Sequence, residues 1–157
     1  MVKLSRLAVQ ADAHADGVWS CAWAPGTGGP ALLSGSVDET VKAWQTGGEG
    51  GDTLRAAEEY TGHLLGCVCV AASATGLAAT TSLDSVTRVW DLASGVPLAI
   101  FEAAPGEAWS LAFPPGDAGG RQLASAAGAA ACVQLWNLGS KEVESTYSLP
   151  PPVRLAA

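Results

Sequence analysis

The chain has few positive charges, almost no histidine and no long apolar run, and each shortage removes a class of function. Lysine and arginine number 8 of 157 residues against 15 aspartates and glutamates, giving a net charge of −7. A protein that grips a phosphate backbone needs clustered cations. Here Arg6, Lys42, Arg55, Arg88, Arg121 and Lys141 are scattered singly. They read as solvated surface charges, so no direct nucleic-acid contact is expected. The 2 histidines are His14 and His63, and the 4 cysteines are Cys21, Cys67, Cys69 and Cys132. No CxxC pair or Cys/His spacing fits a zinc site, so no metal and no cofactor is expected. The cysteines read as small buried thiols, with Cys67 and Cys69 on one face of a strand. Reduced thiols suit the nucleus and cytoplasm. No apolar run approaches the roughly 18 residues of a membrane span, and MVKLSRLAVQADA is too weakly apolar for a signal peptide. GTGGP and TGGEGGD lack the Lys-Ser/Thr ending of a phosphate loop and read as connections between strands.

What is present is a repeat. Trp44 closes VDETVKAW, Trp90 closes LDSVTRVW and Trp136 closes ACVQLW, with the same 46-residue interval both times. Asp38 and Asp84 stand six positions before the first two tryptophans, and His14 and His63 lie further upstream. A period of this length marks a stack of four-stranded propeller blades of about 40–45 residues each. Short alternating runs bounded by Gly, Pro, Asp and Ser predict the strands. They are WSCAW, ALLSGS and TVKAW in the first blade, and CVCVA, LAATTS and VTRVW in the second. WSLAF, QLAS and CVQLW follow in the third, with PLAIF as an outer strand. No segment shows a 3.6-residue period, so the fold class is all-β. The repeats fall at about 10–46, 53–92 and 97–138, with an outer strand near 142–149 and an unstructured tail over 150–157.

The chain resembles the WD-repeat family. Gly62–His63 matches the Gly-His step of that family and Trp90–Asp91 its Trp-Asp step, while Trp44–Gln45 and Trp136–Asn137 are degenerate versions. The strings AHADGVWSCAW, SGSVDETVKAW, SLDSVTRVWDLASG and GEAWSLAFPP look further like the N-terminal half of the WD-repeat subunit of the superkiller complex. That subunit also occurs in the RNA-polymerase-associated factor complex. The resemblance implies a seven-bladed propeller of which three blades are present, an incomplete ring with two open faces and a tendency to self-associate. The match runs out near Leu149, as in a fragment, a short isoform or a truncated gene model.

Two sets of residues follow. His14, Ser34, Asp38 and Trp44, and again His63, Thr80, Asp84 and Trp90, have the types of a hydrolytic triad plus an indole. The resemblance implies instead a buried hydrogen-bond chain from carboxylate to imidazole to hydroxyl to indole, a structural role rather than catalysis. In the third blade Ala104 and Ala130 stand at the His and Asp positions, so that blade is expected to rest on packing of Trp136, Leu135, Phe113 and Leu123 alone. Trp19, Val68 and Trp109 each follow the His position by five residues. The resemblance puts this slot at the top mouth of the central channel, with Leu83 on the same surface and Glu107 as an acidic rim. These five are the candidate partner-binding residues, for which Trp is a common anchor.

The expected function is a non-catalytic scaffold for protein assembly. Its expected partners are a helical-repeat subunit and an RNA helicase of the superkiller complex, acting in exosome-linked mRNA decay, or subunits of the RNA-polymerase-associated factor complex. The alternatives are a substrate receptor of a cullin-type ubiquitin ligase or another WD-repeat adaptor. Such a receptor usually carries Arg two residues after the Trp-Asp aspartate, where this chain has Ala93.

Overall fold

The structure, a computed structural model, describes residues 9–24, 32–47, 53–102, 109–115, 121–127 and 132–148. Twelve strands form among them and no helix. In chain order they are β1 (Val18–Trp23), β2 (Leu32–Ser36), β3 (Val41–Gly47), β4 (Thr53–Tyr60), β5 (Cys67–Ala72), β6 (Leu77–Ser82), β7 (Val86–Asp91) and β8 (Pro97–Glu102). The last four are β9 (Leu111–Ala112), β10 (Gln122–Ala127), β11 (Cys132–Asn137) and β12 (Glu142–Ser148). They make three four-stranded antiparallel sheets in the orders β1-β2-β3-β4, β5-β6-β7-β8 and β9-β10-β11-β12. This is a partial β-propeller, three four-stranded blades side by side. The strand expected at WSLAF is shortened to the two residues of β9. Of the segments placed by sequence, Ala104, Glu107, Ala130 and the tail over 150–157 lie outside the described residues.

The blades pack because each sheet has two apolar faces. The first interface buries Leu33, Val41, Ala43 and Tyr60 of the first sheet with Cys67, Val70, Ala78 and Trp90 of the second. The second interface buries Ala79, Val89, Ala99 and Phe101 of the second sheet with Leu111, Leu123 and Trp136 of the third. One aromatic pair recurs. Tyr60 meets Trp90 at 5.5 Å between ring centroids, and Phe101 meets Trp136 at 4.7 Å. Small residues set the approach. A Cβ on Gly35 would lie 2.7 Å from Cys67 Sγ and 2.9 Å from Val70 Cγ1, so β2 and β5 come closer than any side chain there would permit.

Each tryptophan-bearing strand meets its outer strand through a bulge placed just before the tryptophan, between Ala43 and Trp44, Val89 and Trp90, and Leu135 and Trp136. A second bulge, between Cys67 and Cys69, overturns the expectation that these thiols share a face. The bulge breaks the two-residue alternation. Cys67 is therefore buried at the first interface, while Cys69 packs at the second. Burial and the neighbouring Cys69 push the Cys67 thiol up to about 12. Cys21, also expected to be buried, is exposed, because it lies on the face of the first sheet turned away from the second.

Candidate functional site

In the first two blades a short turn aims an aspartate back over the sheet. Glu39 and Ser85, the residues after each aspartate, take positive φ angles of 72° and 64°. Asp38 accepts the Thr40 amide at 3.0 Å and Asp84 the Val86 amide at 2.9 Å. The turn is closed from below by a serine. The Ser36 hydroxyl accepts the Asp38 amide, and the Ser82 hydroxyl the Asp84 amide, each at 3.1 Å.

From each carboxylate a chain of bonds runs inward. In the second blade His63 Nδ1 lies 3.2 Å from Asp84 Oδ2, and His63 Nε2 lies 2.9 Å from Thr80 Oγ1. Trp90 Nε1 donates to the same hydroxyl at 2.9 Å. In the first blade His14 Nδ1 lies 3.0 Å from Asp38 Oδ2, His14 Nε2 lies 2.7 Å from Ser34 Oγ, and Trp44 Nε1 donates to Ser34 at 2.8 Å. The carboxylate can only accept, so the neutral imidazole carries its proton on Nδ1. Nε2 is then an acceptor, and the hydroxyl donates to it while accepting from the indole. Every member is paired and its hydroxyl is buried with both bonds made, which leaves no nucleophile facing solvent. Burial raises the Asp38 and Asp84 carboxyls, but amide, hydroxyl and imidazole donors outweigh it and hold both below the ordinary carboxylate value. Burial, opposed by Asp84 and aided by Arg88, lowers His63 and favours its neutral form.

The third blade corrects the expectation that it rests on packing alone. Trp136 Nε1 donates to Ser125 Oγ at 2.8 Å. The hydroxyl is eleven residues before the tryptophan, where the other two blades have ten, and that one-residue offset hides it from a fixed-period reading. Leu123 and Trp136 face the second blade, but Leu135 points to the opposite side.

Three further side chains belong to these networks and were missed. Thr40 Oγ1 donates to Asp38 Oδ1 at 2.7 Å. Lys42 Nζ donates to Ala13 O at 3.0 Å, and Arg88 Nη2 to Gly62 O at 2.7 Å. Lys42 and Arg88 both sit four residues after the turn aspartate and both hold the carbonyl just before the histidine. That shared spacing was the available signal. Gly62 is at φ 132° with the Arg88 guanidinium 3.6 Å from where a Cβ would stand, so the loop needs glycine there.

The loops beside the networks, with the first residues of β1 and β5, carry exposed apolar side chains. Trp19 is 52% exposed and Leu83 44%, while Val68 is half-buried. Leu64 and Leu65, not anticipated, are exposed beside them. Backbone contacts join these loops across the blades. The Val37 amide donates to Gly17 O at 3.0 Å, and a Cβ on Gly17 would lie 3.9 Å from Trp19 Nε1. Gly66 lies against the Val37 backbone, with Cα at 3.0 Å from its Cβ position, and its carbonyl accepts the Leu83 amide at 3.1 Å. Two backbone bonds, Val37 to Gly17 and Leu83 to Gly66, with the close approach of Gly66 to Val37 between them, thereby tie the loops of the first two blades together. Asp16 and Glu39 are exposed in the same loops. Trp109, just before β9, is also 52% exposed. Among the described residues no three His, Cys, Asp or Glu side chains come together as a metal site.

Residues 6–45 match the family model described as WD domain, G-beta repeat. The chain is 42% identical over 154 residues to the WD repeat-containing protein VIP3 of Arabidopsis thaliana, a match covering 96% of this chain and 46% of that protein. It is 31% identical over 144 residues to the WD repeat-containing protein SL1-17 of Schistosoma mansoni, covering 90% of this chain and 46% of that one. The chain is thus similar to WD-repeat proteins along nearly its whole described length, and it spans less than half the length of these curated relatives.

Proposed function

We propose that this run of WD blades is an assembly scaffold whose upper rim docks a short apolar segment of a partner protein. The observation that carries the reading is the rim itself. Leu65 and Leu83 stay exposed in loops that backbone bonds tie together, and Trp19 stays exposed at the bulge of β1 beside them. Holding apolar groups rigidly in water prepares a docking site, since little ordering remains to be done on binding. An exposed indole in such a place is a common hot spot. The acidic neighbours Asp16 and Glu39, with the net charge of −7, favour a partner segment that is not itself acidic.

The partners proposed are the helical-repeat subunit and RNA helicase of the superkiller complex, in mRNA decay, or subunits of the RNA-polymerase-associated factor complex, in transcription elongation. The proposed locations are the cytoplasm and nucleus respectively. The strings around Trp19, Asp38 and Asp84 support this reading. The cullin-receptor alternative gains nothing from the turn after Trp90. There Asp91 accepts the amides of Ala93 and Ser94 at 3.0 and 2.8 Å, closing a turn that holds no arginine. Affinity purification of the tagged chain is the test. Co-purification of either set of subunits, lost on changing Trp19 and Leu83 together to Ala while the melt is unchanged, is the expected result. Retention of partners by a folded double variant would count against the rim.

A further inference from the structure

The chain contains a single Asp-Gly step, Asp16–Gly17, in the loop that leads into β1. The fold sets the two groups of that step against each other. The Gly17 amide donates to Asp16 Oδ1 at 2.6 Å, so its nitrogen lies beside the carboxyl of the residue before it. Both residues are exposed, which leaves the carboxyl open to water. Gly17 has no Cβ to crowd the approach. A nucleophile already held against its electrophile reacts without the entropy cost of an encounter.

Two other aspartates show the same pair of groups kept apart. Asp84 holds the Leu64 and Val86 amides and the His63 ring, and the next amide, that of Ser85, donates to Ser82 O at 3.1 Å. Asp91 holds the Ala93 and Ser94 amides, and the Leu92 amide donates to Gly76 O at 2.9 Å. In both, the nitrogen that would attack is committed to a carbonyl elsewhere. At Asp16 that nitrogen is committed to the carboxyl itself. The first blade holds the loop in this shape. Ser36 Oγ donates to Asp16 O at 3.2 Å and to Gly17 O at 3.0 Å, and the Val37 amide donates to Gly17 O at 3.0 Å.

We infer that Asp16 is a site of isoaspartate formation, through a cyclic imide closed by the Gly17 nitrogen. The nitrogen lone pair attacks Asp16 Cγ, the N–Cγ bond forms and a Cγ–O bond breaks. The amide proton leaves with the carboxyl hydroxyl as one molecule of water. Water then adds across either carbonyl–nitrogen bond of the ring. One opening restores aspartate. The other carries the main chain through Cγ and leaves the former main-chain carbonyl as a free carboxylate. The step consumes nothing but water. Its product lengthens the main chain by one carbon, in the stretch whose carbonyls Ser36 and Val37 hold.

Incubation of the 157-residue chain at neutral pH and body temperature, folded and in urea, tests this. Isoaspartate is read by an isoaspartyl methyltransferase with labelled S-adenosylmethionine. It is placed by a protease that cleaves before aspartate but not before isoaspartate. Label should accumulate at Asp16 at least as fast in the folded chain as in urea. Asp16→Glu keeps the charge but needs a larger ring, and should lose the label. Asp16→Asn should gain it faster, because ammonia leaves in place of water. Gly17→Ala should slow it by crowding the nitrogen. A Cβ there meets Val37 Cγ2 at 3.8 Å and Trp19 Nε1 at 3.9 Å, both ordinary contacts, so that variant keeps the fold. Slower labelling in the folded chain than in urea, an unchanged rate in Gly17→Ala, or label persisting in Asp16→Glu would overturn the inference.

Discussion

At the scale of single residues, the hydrogen-bond chains separate two aspartates that look alike in sequence. Asp84 holds the Leu64 and Val86 amides and the His63 ring, while Asp91 only caps an exposed turn. Asp84→Ala strands a buried imidazole and should cost about 2–3 kcal/mol in denaturant melts. Asp91→Ala loses turn bonds in water and should cost about 0.5–1 kcal/mol. The networks also set an acid limit. His63 is lowered in the fold, so the unfolded chain takes up its proton first. Stability is then complete above the ordinary imidazole value of 6.5 and falls below it. Asp38 and Asp84 are lowered from 3.8, so their contribution holds above that value and is lost further down. The melting temperature should decline in two stages, and His63→Gln should flatten the first stage while keeping the second. In the first two blades the hydroxyls and aspartates were legible because they stand ten and six residues before each tryptophan, and the histidines because the chain has only two, one upstream of each set. Ser125 was not, because one extra residue breaks its offset. Thr40, Lys42 and Arg88 were not, because a threonine after a turn or a cation on a strand reads as an ordinary surface residue until its acceptor is located.

At the scale of elements, the strands ending in Trp44, Trp90 and Trp136 were legible from their alternation and their turns. The outer strand β4 was less so. Its sequence TLRAAEEY is rich in charge, and only Tyr60 is fully buried. What holds such a strand is pairing and one aromatic contact, neither visible in composition. The exposure of Cys21 was hidden as well, because alternation gives a residue's side of the sheet but not whether that side is covered. The close approach of β2 and β5 yields a prediction. Gly35→Ala should destabilise the chain by about 1–3 kcal/mol through overpacking. Cys67→Ala in the same chain should recover part of that, since it removes the nearest of the clashing atoms. A double-mutant cycle measures the recovery, and strict additivity would mean that the two strands do not meet as described.

At the scale of the whole molecule, the three blades are unequal. The second has both faces covered, while the first and third have one each. Among the described residues the third shows no imidazole or carboxylate bonded to Ser125, and its innermost strand is two residues long. Amide hydrogen exchange should protect β5–β7 most and β10–β12 least. A third sheet as slow to exchange as the second would show that its outer face is covered in solution. This ordering was readable in part from Ala104 and Ala130, but Ser125 makes the gap smaller than a blade with no polar bond would have.

The bulge before each tryptophan has a consequence for how the gene can change. It places Ala57, Leu98 and Glu144 as the extra residue of β4, β8 and β12, since Trp44, Trp90 and Trp136 pair with Ala56, Pro97 and Val143. Each of these three codons tolerates many spellings but not removal. Ala57→Ser leaves every neighbour on its side of the sheet, whereas losing the codon slides the strand by one and turns either Tyr60 or the residues before Ala56 to the wrong face. In a library of variants scored for folding, substitutions at these positions should be among the mildest and single-codon deletions at the same positions among the most severe.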